Sequence, residues 1–387
     1  MPEPDFDPLD PAFVADPHPT WARLRRERAV ARGARWGFWA LTRYEDVKAV
    51  SADYGTFTSE LGIVVPSNPV SGRRAPLHFD PPEHPRYRRP LNAALSAERV
   101  RALEPTIRAL VVELLEPLLA RGGGELVREL TSPLTALVFA EFVRLPRERA
   151  LELNGHSEAF ERAQQERDTG AAERENLLLY EACRQLVRER RAAPLDPDDD
   201  IVSALLALER DDEFVAGSVR QLLIAAHVAP TAAIASAVRH LAEDAALQAR
   251  LRAEPGLLPA AVDELLRLYT PNQGFARTAR ADAEIRGCPV RAGEQVALVL
   301  TSANRDEDVF AEPDAFRLDR EAPHLAFGHG PHKCPGAHAA RAELRIVLEE
   351  LLARTERVEL AGEVEMVPWP LYGPAALPVA LVPAGFS

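Results

Sequence analysis

Phe327-Gly328-His329-Gly330-Pro331-His332-Lys333-Cys334-Pro335-Gly336 presents one thiol at the end of a glycine-hinged loop, just ahead of a helical pattern that starts at Ala337. Glycine lets such a loop turn with positive φ, and a glycine after the cysteine lets the backbone lie against a flat group where a Cβ would clash. A thiolate held this way suits an axial ligand to haem iron, where it pushes electron density onto the metal and favours O–O cleavage. A lone cysteine is ordinarily a small buried hydrophobe, so the whole loop carries the reading. The other cysteines, Cys183 and Cys288, stand in no C-x-x-C pair, which leaves zinc unsupported.

The run resembles the haem-binding loop of the cytochrome P450 family, with Phe327, Gly330, His332, Cys334 and Gly336 at the expected places and Gly328 in the same hinge. The resemblance implies a mainly α fold with small β-sheets, one domain over residues 1–387, haem b (iron protoporphyrin IX) as cofactor, and Cys334 as its iron ligand.

From Pro259 to Tyr269 the pattern is an amphipathic helix carrying Glu264 and Arg267 on one face. Alone, such a pair is a solvated surface contact. In the family the equivalent pair is buried and tied to the chain ahead of the cysteine loop, which implies a folding role for Glu264 and Arg267 in the haem cradle. Haem propionates need cations and donors. His84 and Arg88, four apart in Asp80-Pro81-Pro82-Glu83-His84-Pro85-Arg86-Tyr87-Arg88-Arg89, resemble the family's propionate-holding pair. Arg277 matches another propionate arginine, and His332 stands where the family has Arg or His.

With 387 residues, 47% of them hydrophobic, the chain can bury a cofactor, and no linker or repeat divides it. The formal charge of -13 argues against nucleic acid as a partner. The N-terminus is polar and proline-rich, with neither a signal-peptide core nor a spanning helix, so a soluble protein without a membrane partner is expected. Three cysteines without regular spacing suit a reducing, cytoplasmic location. Lys48 and Lys333 are the only lysines. Lys333 with Arg86, Arg89, Arg341 and Arg345 makes a candidate basic patch for an acidic carrier, a ferredoxin served by its ferredoxin reductase.

Helical periodicity covers Trp21 to Arg28, Arg99 to Ala120, Leu126 to Leu145, Arg147 to Arg167, Glu173 to Ala192, Ser203 to Arg210, Ser218 to Ala242 and Ala337 to Thr355. Strand patterns are short: Gly37 to Thr42, Glu284 to Pro289, Gln295 to Leu300 and Val379 to Val382. Gly122 to Gly124 and Pro194 to Asp200 read as loops.

The Ser218 to Ala242 helix occupies the place of the family's distal helix, where an acid and an alcohol relay protons to bound dioxygen. Here the run is Ala225-Ala226-His227-Val228-Ala229-Pro230-Thr231, with Val228 in place of the acid and Ala229 in place of the alcohol. Neither side chain exchanges a proton. Pro230 has no N–H, so the Ala226 carbonyl loses its helical partner and becomes available to an ordered water. Thr231 lies about 200° around the helix from Ala229 and does not inherit the alcohol's place. His227 is expected to pack among neighbours or face outward rather than act as a distal base. Ala226, Val228, Ala229, Pro230 and Thr231 are thus the oxygen-side positions. The run from Pro230 to Ile234 is similar to the helix of fatty-acid peroxygenases of the same superfamily, which carry an arginine where this chain has Ala229.

The resemblance places the small-molecule substrate against the Leu61 to Leu77 loop, Ala225, Ala226, Ala229, the Gln273 to Ala276 strand entry and the Trp369 to Tyr372 tail. Leu61, Ala225, Gln273, Phe275 and Tyr372 are the contact candidates, with Asn272, Gln273 and Ser67 the polar points and no charge clearly facing the iron. A neutral or weakly polar, aromatic or terpenoid-like substrate is expected, oxidised by C–H hydroxylation or O-dealkylation with O2. Peroxide as oxidant, oxidative-coupling or redox-neutral haem chemistry, and a non-catalytic haem sensor are the alternatives.

Overall fold

Asp211 begins the element around which the chain is arranged. Its side chain accepts hydrogen bonds from the N–H groups of Glu213 and Phe214, and the helix it caps runs from Asp212 to Glu243, straight through Pro230. The start lies six residues ahead of the periodicity's Ser218, because the acidic first turn Asp212-Glu213 favours the positive end of the helix dipole. This helix packs on Thr169–Ala192, Ser132–Phe142 and Ala337–Arg354. Among the described residues it is the one helix long and apolar enough to cross a membrane, yet Val215, Val219, Ile234, Val238 and Leu241 along it are buried in the protein's own core. The computed structural model describes residues 4–65, 73–166 and 168–384, so Ser67, with part of the Leu61 to Leu77 loop, and Arg167 lie outside the described residues.

Most other helices match their patterns within a turn: His18–Glu27, Ala97–Arg121, Arg147–Glu166, Thr169–Ala192, Ile201–Leu208, Leu258–Leu268 and Ala337–Arg354. The Leu126 to Leu145 expectation is corrected: a π-helical turn, Val127–Thr131, precedes an α-helix over Ser132–Phe142. Pro133 has no N–H to offer the Glu129 carbonyl, and the Ser132 N–H reaches back five residues to Val127 instead.

The main sheet orders its strands Val30–Arg32, Trp39–Leu41, Gln295–Val299, Gly274–Ala279 and Phe57–Thr58, with Trp39–Leu41 and Gln295–Val299 parallel. It brings Phe275 and Arg277 to the interior. The Glu284 to Pro289 strand is instead a hairpin, Ala283–Ile285 against Cys288–Val290, turning on Arg286 and Gly287 at φ of 49° and 76°. Gly123–Glu125, expected to be loop, pairs with Pro378–Pro383, which also pairs with Thr355–Leu360. A Cβ on Gly123 would lie 2.1 Å from the Val379 carbonyl oxygen, so glycine is what lets those strands meet.

Candidate functional site

The cysteine loop is built by its glycines and by one backbone bond. Gly328 and Gly330 have φ of +69° and +71°, and a Cβ on Gly330 would come within 2.6 Å of the Ser51 carbonyl oxygen. The Cys334 N–H donates to the Phe327 carbonyl at 2.8 Å, closing the loop before the helix Ala337–Arg354 begins. The Arg341 guanidinium lies 4.5 Å over the Phe327 ring and bonds Asp263 at 2.6 Å, which holds the ring in place. Cys334 faces a cavity of about 1980 Å³ that opens to the surface. Burial raises its thiol pKa, and the Gly336 N–H with the charges of Arg88 and Arg341 pulls it back. A metal cation would complete that pull and hold the thiolate.

Small residues of the long helix, Ala225, Ala226, Ala229 and Ala233, line the same cavity, together with Val228 and Pro230. Thr231 turns away. Its hydroxyl meets Thr135 Oγ1 at 3.0 Å, and the same Thr135 oxygen meets His227 Nδ1 at 2.9 Å. His227 is therefore packed among neighbours, as expected, and burial lowers its pKa to about 4, so it is neutral. No cavity-facing side chain among Ala225 to Ala229 carries a proton that could be relayed.

At the edge of the cysteine loop stands a basic cradle. Arg88 lines the cavity, bonding Asn92 at 2.7 Å and the Lys333 carbonyl. The rings of His84 and His332 lie 4.5 Å apart, and His84 Nε2 is buried without a partner. Arg277 is buried and bonds only the Ala276 carbonyl, at 2.7 Å, with no carboxylate in ion-pair range among the described residues. Burial holds its pKa down at about 10 and that of His84 at about 4, His332 and Arg88 adding to the latter. Behind them Asp80 accepts from Thr58 at 2.5 Å and Ser59 at 2.8 Å, and meets His332 Nε2 at 3.2 Å. Burial pushes the Asp80 carboxyl up, but these bonds outweigh it and keep it well below the usual carboxylate range. A buried guanidinium without a carboxylate, Arg277, together with Arg88 and the unpartnered His84 imidazole near a thiol that faces a large cavity, fits a flat dianionic macrocycle. The cavity also exceeds the roughly 300–1,000 Å³ of an ordinary small-molecule pocket, leaving room for a substrate as well.

The Glu264–Arg267 pair is buried, with side chains 3% and 2% exposed and two parallel bonds of 2.7 Å. Arg267 also donates to the carbonyls of Asn304, Pro313 and Ala315, and Arg320 bonds Glu264 at 2.7 Å. The pair thus ties its helix to the chain ahead of the cysteine loop. Sequence reasoning did not name Arg320 or Asn304, whose amide bonds Thr270 and the Leu325 N–H, because their partners lie tens of residues away.

Glu343 was also missed. It lines the cavity with Oε2 unpartnered, and burial pushes its carboxyl up to about 8. The folded protein keeps this proton while the unfolded chain releases it from about pH 4.5 upward, so the group costs stability as pH rises. The slope is at most about 1.4 kcal/mol per pH unit and vanishes above the folded pKa. Glu343→Gln is therefore expected to raise the thermal midpoint more at pH 8 than at pH 5, and an equal rise at both would contradict the assignment.

Leu61, Ala225, Phe275 and Asn272 do line the cavity. Gln273 and Tyr372 do not, which corrects two contact candidates. Gln273 is spent on Trp21 Nε1 at 3.3 Å and the Leu371 carbonyl at 2.7 Å, and Tyr372 packs its ring edgewise on His18 at 5.0 Å. Charged side chains stand in the wall as well, Arg74, Arg220 and Glu161 among them. The basic patch is smaller than expected. Arg341 is taken by Asp263, Arg345 by Glu104 and Glu349, and Arg86 lies 3.9 Å from Glu209, leaving Lys333 and Arg89 as exposed cations.

A single cysteine facing a large cavity beneath a long alanine-lined helix, beside buried cations, defines a haem-thiolate protein. The cytochrome P450 family model matches residues 178–366. Nocardicin C N-oxygenase of Nocardia uniformis is 36% identical, covering 96% of this chain and 97% of that protein. Erythromycin C-12 hydroxylase of Saccharopolyspora erythraea is 34% identical over 87% of each chain. A crystal structure of a Chondromyces apiculatus cytochrome P450 superposes with a TM-score of 0.87 at 31% identity, covering 98% of both chains. The chain belongs to the cytochrome P450 family, with haem as its cofactor, and is a monooxygenase of the kind found in bacteria.

Proposed function

We propose that this monooxygenase inserts one oxygen atom from O2 into a C–H bond of a small substrate that is largely apolar where it meets the iron, by hydroxylation or O-dealkylation, with electrons from a ferredoxin and its reductase. The observation that carries the reading is that Cys334 lines one cavity together with Ala225, Ala226 and Ala229. Bound haem supplies the oxygen chemistry through its thiolate-ligated iron. This chain's part is to hold and orient. Cys334 would ligate the iron, Phe327, Gly328 and Gly336 shape the loop that would hold the macrocycle, Arg88 and Arg277 would neutralise the propionates, and His84 and His332 would donate hydrogen bonds to them. Leu61, Ala225 and Phe275 pack the apolar body of the substrate, an aromatic or terpenoid-like skeleton. Lys333 and Arg89 are the contacts offered to the electron carrier. Residues 1–387 act as one domain, and cytoplasmic placement follows from the soluble-protein reading and the free cysteines.

With Val228 and Ala229 at the relay positions, protons reach the oxygen site through water, held in part by the Ala226 carbonyl that Pro230 leaves free, or through a substrate hydroxyl. The same substitution is what favours a second reading, in which peroxide replaces O2 and reductant. The test is turnover of a substrate selected by a ferric spin-state screen. Product formation with reduced nicotinamide, a surrogate ferredoxin and reductase is expected, with nicotinamide consumption matching product. Turnover with peroxide alone would establish the second reading, and spectral binding without product under either condition would leave a sensor.

A further inference from the structure

Among the described residues, two arginines of the cavity wall are buried without an anion. Arg220 is 3% exposed and Arg74 5%, and Nε and Nη2 of each are closed off from solvent with no hydrogen bond. Arg74 spends Nη1 on Gln221 Oε1 at 2.9 Å. Arg220 lies against the rings of Phe160 and Tyr180, 4.9 and 5.6 Å from their centroids. Burial, and then the neighbouring Arg74 charge, press the Arg220 pKa down.

The acid closest in effect is Glu161. It forms no ion pair with either arginine among the described residues, and burial raises its pKa to about 7 against the pull of Arg220. The rim charges are already engaged, Arg184 by Glu213 at 2.8 Å and Arg73 by Glu60 at 3.1 Å. An unpaired buried charge is strongly unfavourable, and two repelling ones more so. Stacking on Phe160 and Tyr180 offsets only part of that cost. Guanidinium forks in a cavity wall are the recognition chemistry for carboxylate and phosphate.

We propose that the substrate carries an oxyanion, a carboxylate or a phosphate, held by Arg74 and Arg220 in the wall of the cavity that Cys334 faces. Arg220 precedes Ala226 and Ala229 by six and nine residues on one helix, which separates it from them by roughly 9–14 Å along the axis at 1.5 Å per residue. The substrate is then an elongated amphipathic acid: apolar beneath the alanines, charged at its remote end. This deepens, and rests on, the reading of the protein as a haem-thiolate monooxygenase.

The test titrates the haem-loaded full chain with dodecanoic acid, dodecyl phosphate and methyl dodecanoate, following the ferric spin-state shift. At least one anion is expected to bind tenfold or more tighter than the ester, and the tighter of the two identifies the headgroup. Arg220→Gln is expected to weaken the anion at least tenfold and leave the ester's Kd unchanged. It should also raise the ligand-free thermal midpoint, with the gap closing when dodecanoate is added. Arg74→Gln serves the same purpose if the first variant does not fold. An ester that binds as well as both anions, no shift with any probe, or unchanged anion affinity in both variants overturns the inference. The reduced carbon-monoxide spectrum of the same samples separates the two levels: a normal thiolate signature with no anion preference defeats this inference alone, whereas its absence defeats the monooxygenase reading beneath it.

Discussion

Cys334→Ala protein is expected to lose the thiolate-type carbon-monoxide difference spectrum completely and to turn over substrate only at background. Cys334 is the only cysteine in the cavity wall among the described residues; Cys183 is buried in the helical core and Cys288 lies on the Cys288–Val290 hairpin strand. No second thiol can take its place. Cys334→Ser keeps a ligand atom at the position but not the electron-rich sulfur, so it separates haem retention from thiolate chemistry. Haem bound to the folded state alone stabilises it by mass action, so the alanine variant should also unfold closer to the temperature of the haem-free wild type. An alanine variant that kept both the spectrum and the turnover would end the assignment.

The second large effect is structural. Arg267→Ala removes a buried guanidinium that bonds both oxygens of Glu264 and three backbone carbonyls, and leaves Glu264 to Arg320 and the Arg317 N–H. Breaking one side of a buried pair costs about 3–5 kcal/mol, a large share of a typical domain's stability. The expected result is little soluble haem-loaded protein, read as haem absorbance per mole of protein and as the denaturant midpoint. Arg267→Lys should fail nearly as badly, because an ammonium cannot reproduce the planar fork. The exposed pair Arg23–Glu27, with side chains 45% and 60% exposed, supplies the contrast. Removing it should cost no more than about 0.5 kcal/mol. Similar losses from Arg267→Ala and Arg23→Ala would contradict the cradle role.

Part of this site was legible because its information is local. The cysteine loop is a contiguous run whose glycines supply the φ values that the turn needs, and the Glu264–Arg267 spacing puts both groups on one helical face wherever that helix sits. The replacement of acid and alcohol by Val228 and Ala229 is likewise a matter of identity at a position. Turning Thr231 away from Ala229 needed only the helical angle, which its bond to Thr135 bears out. Element ends were less legible where one residue changes a hydrogen-bond register, as Pro133 does before Ser132–Phe142, or where a turn hides inside an apolar run, as Arg286-Gly287 does.

By itself, the sequence determined the class of chemistry, since a motif of fixed spacing specifies its own backbone and the ligand it presents. Only the tertiary structure decided which side chains meet. Gln273 and Tyr372 were lost to the pocket because partners distant in the chain, Trp21 and His18, claim them. Arg74 and Arg220 were found because a loop and a helix separated by well over a hundred residues close on one cavity. Burial and the lack of a partner are properties of the packed whole, and no local pattern encodes them.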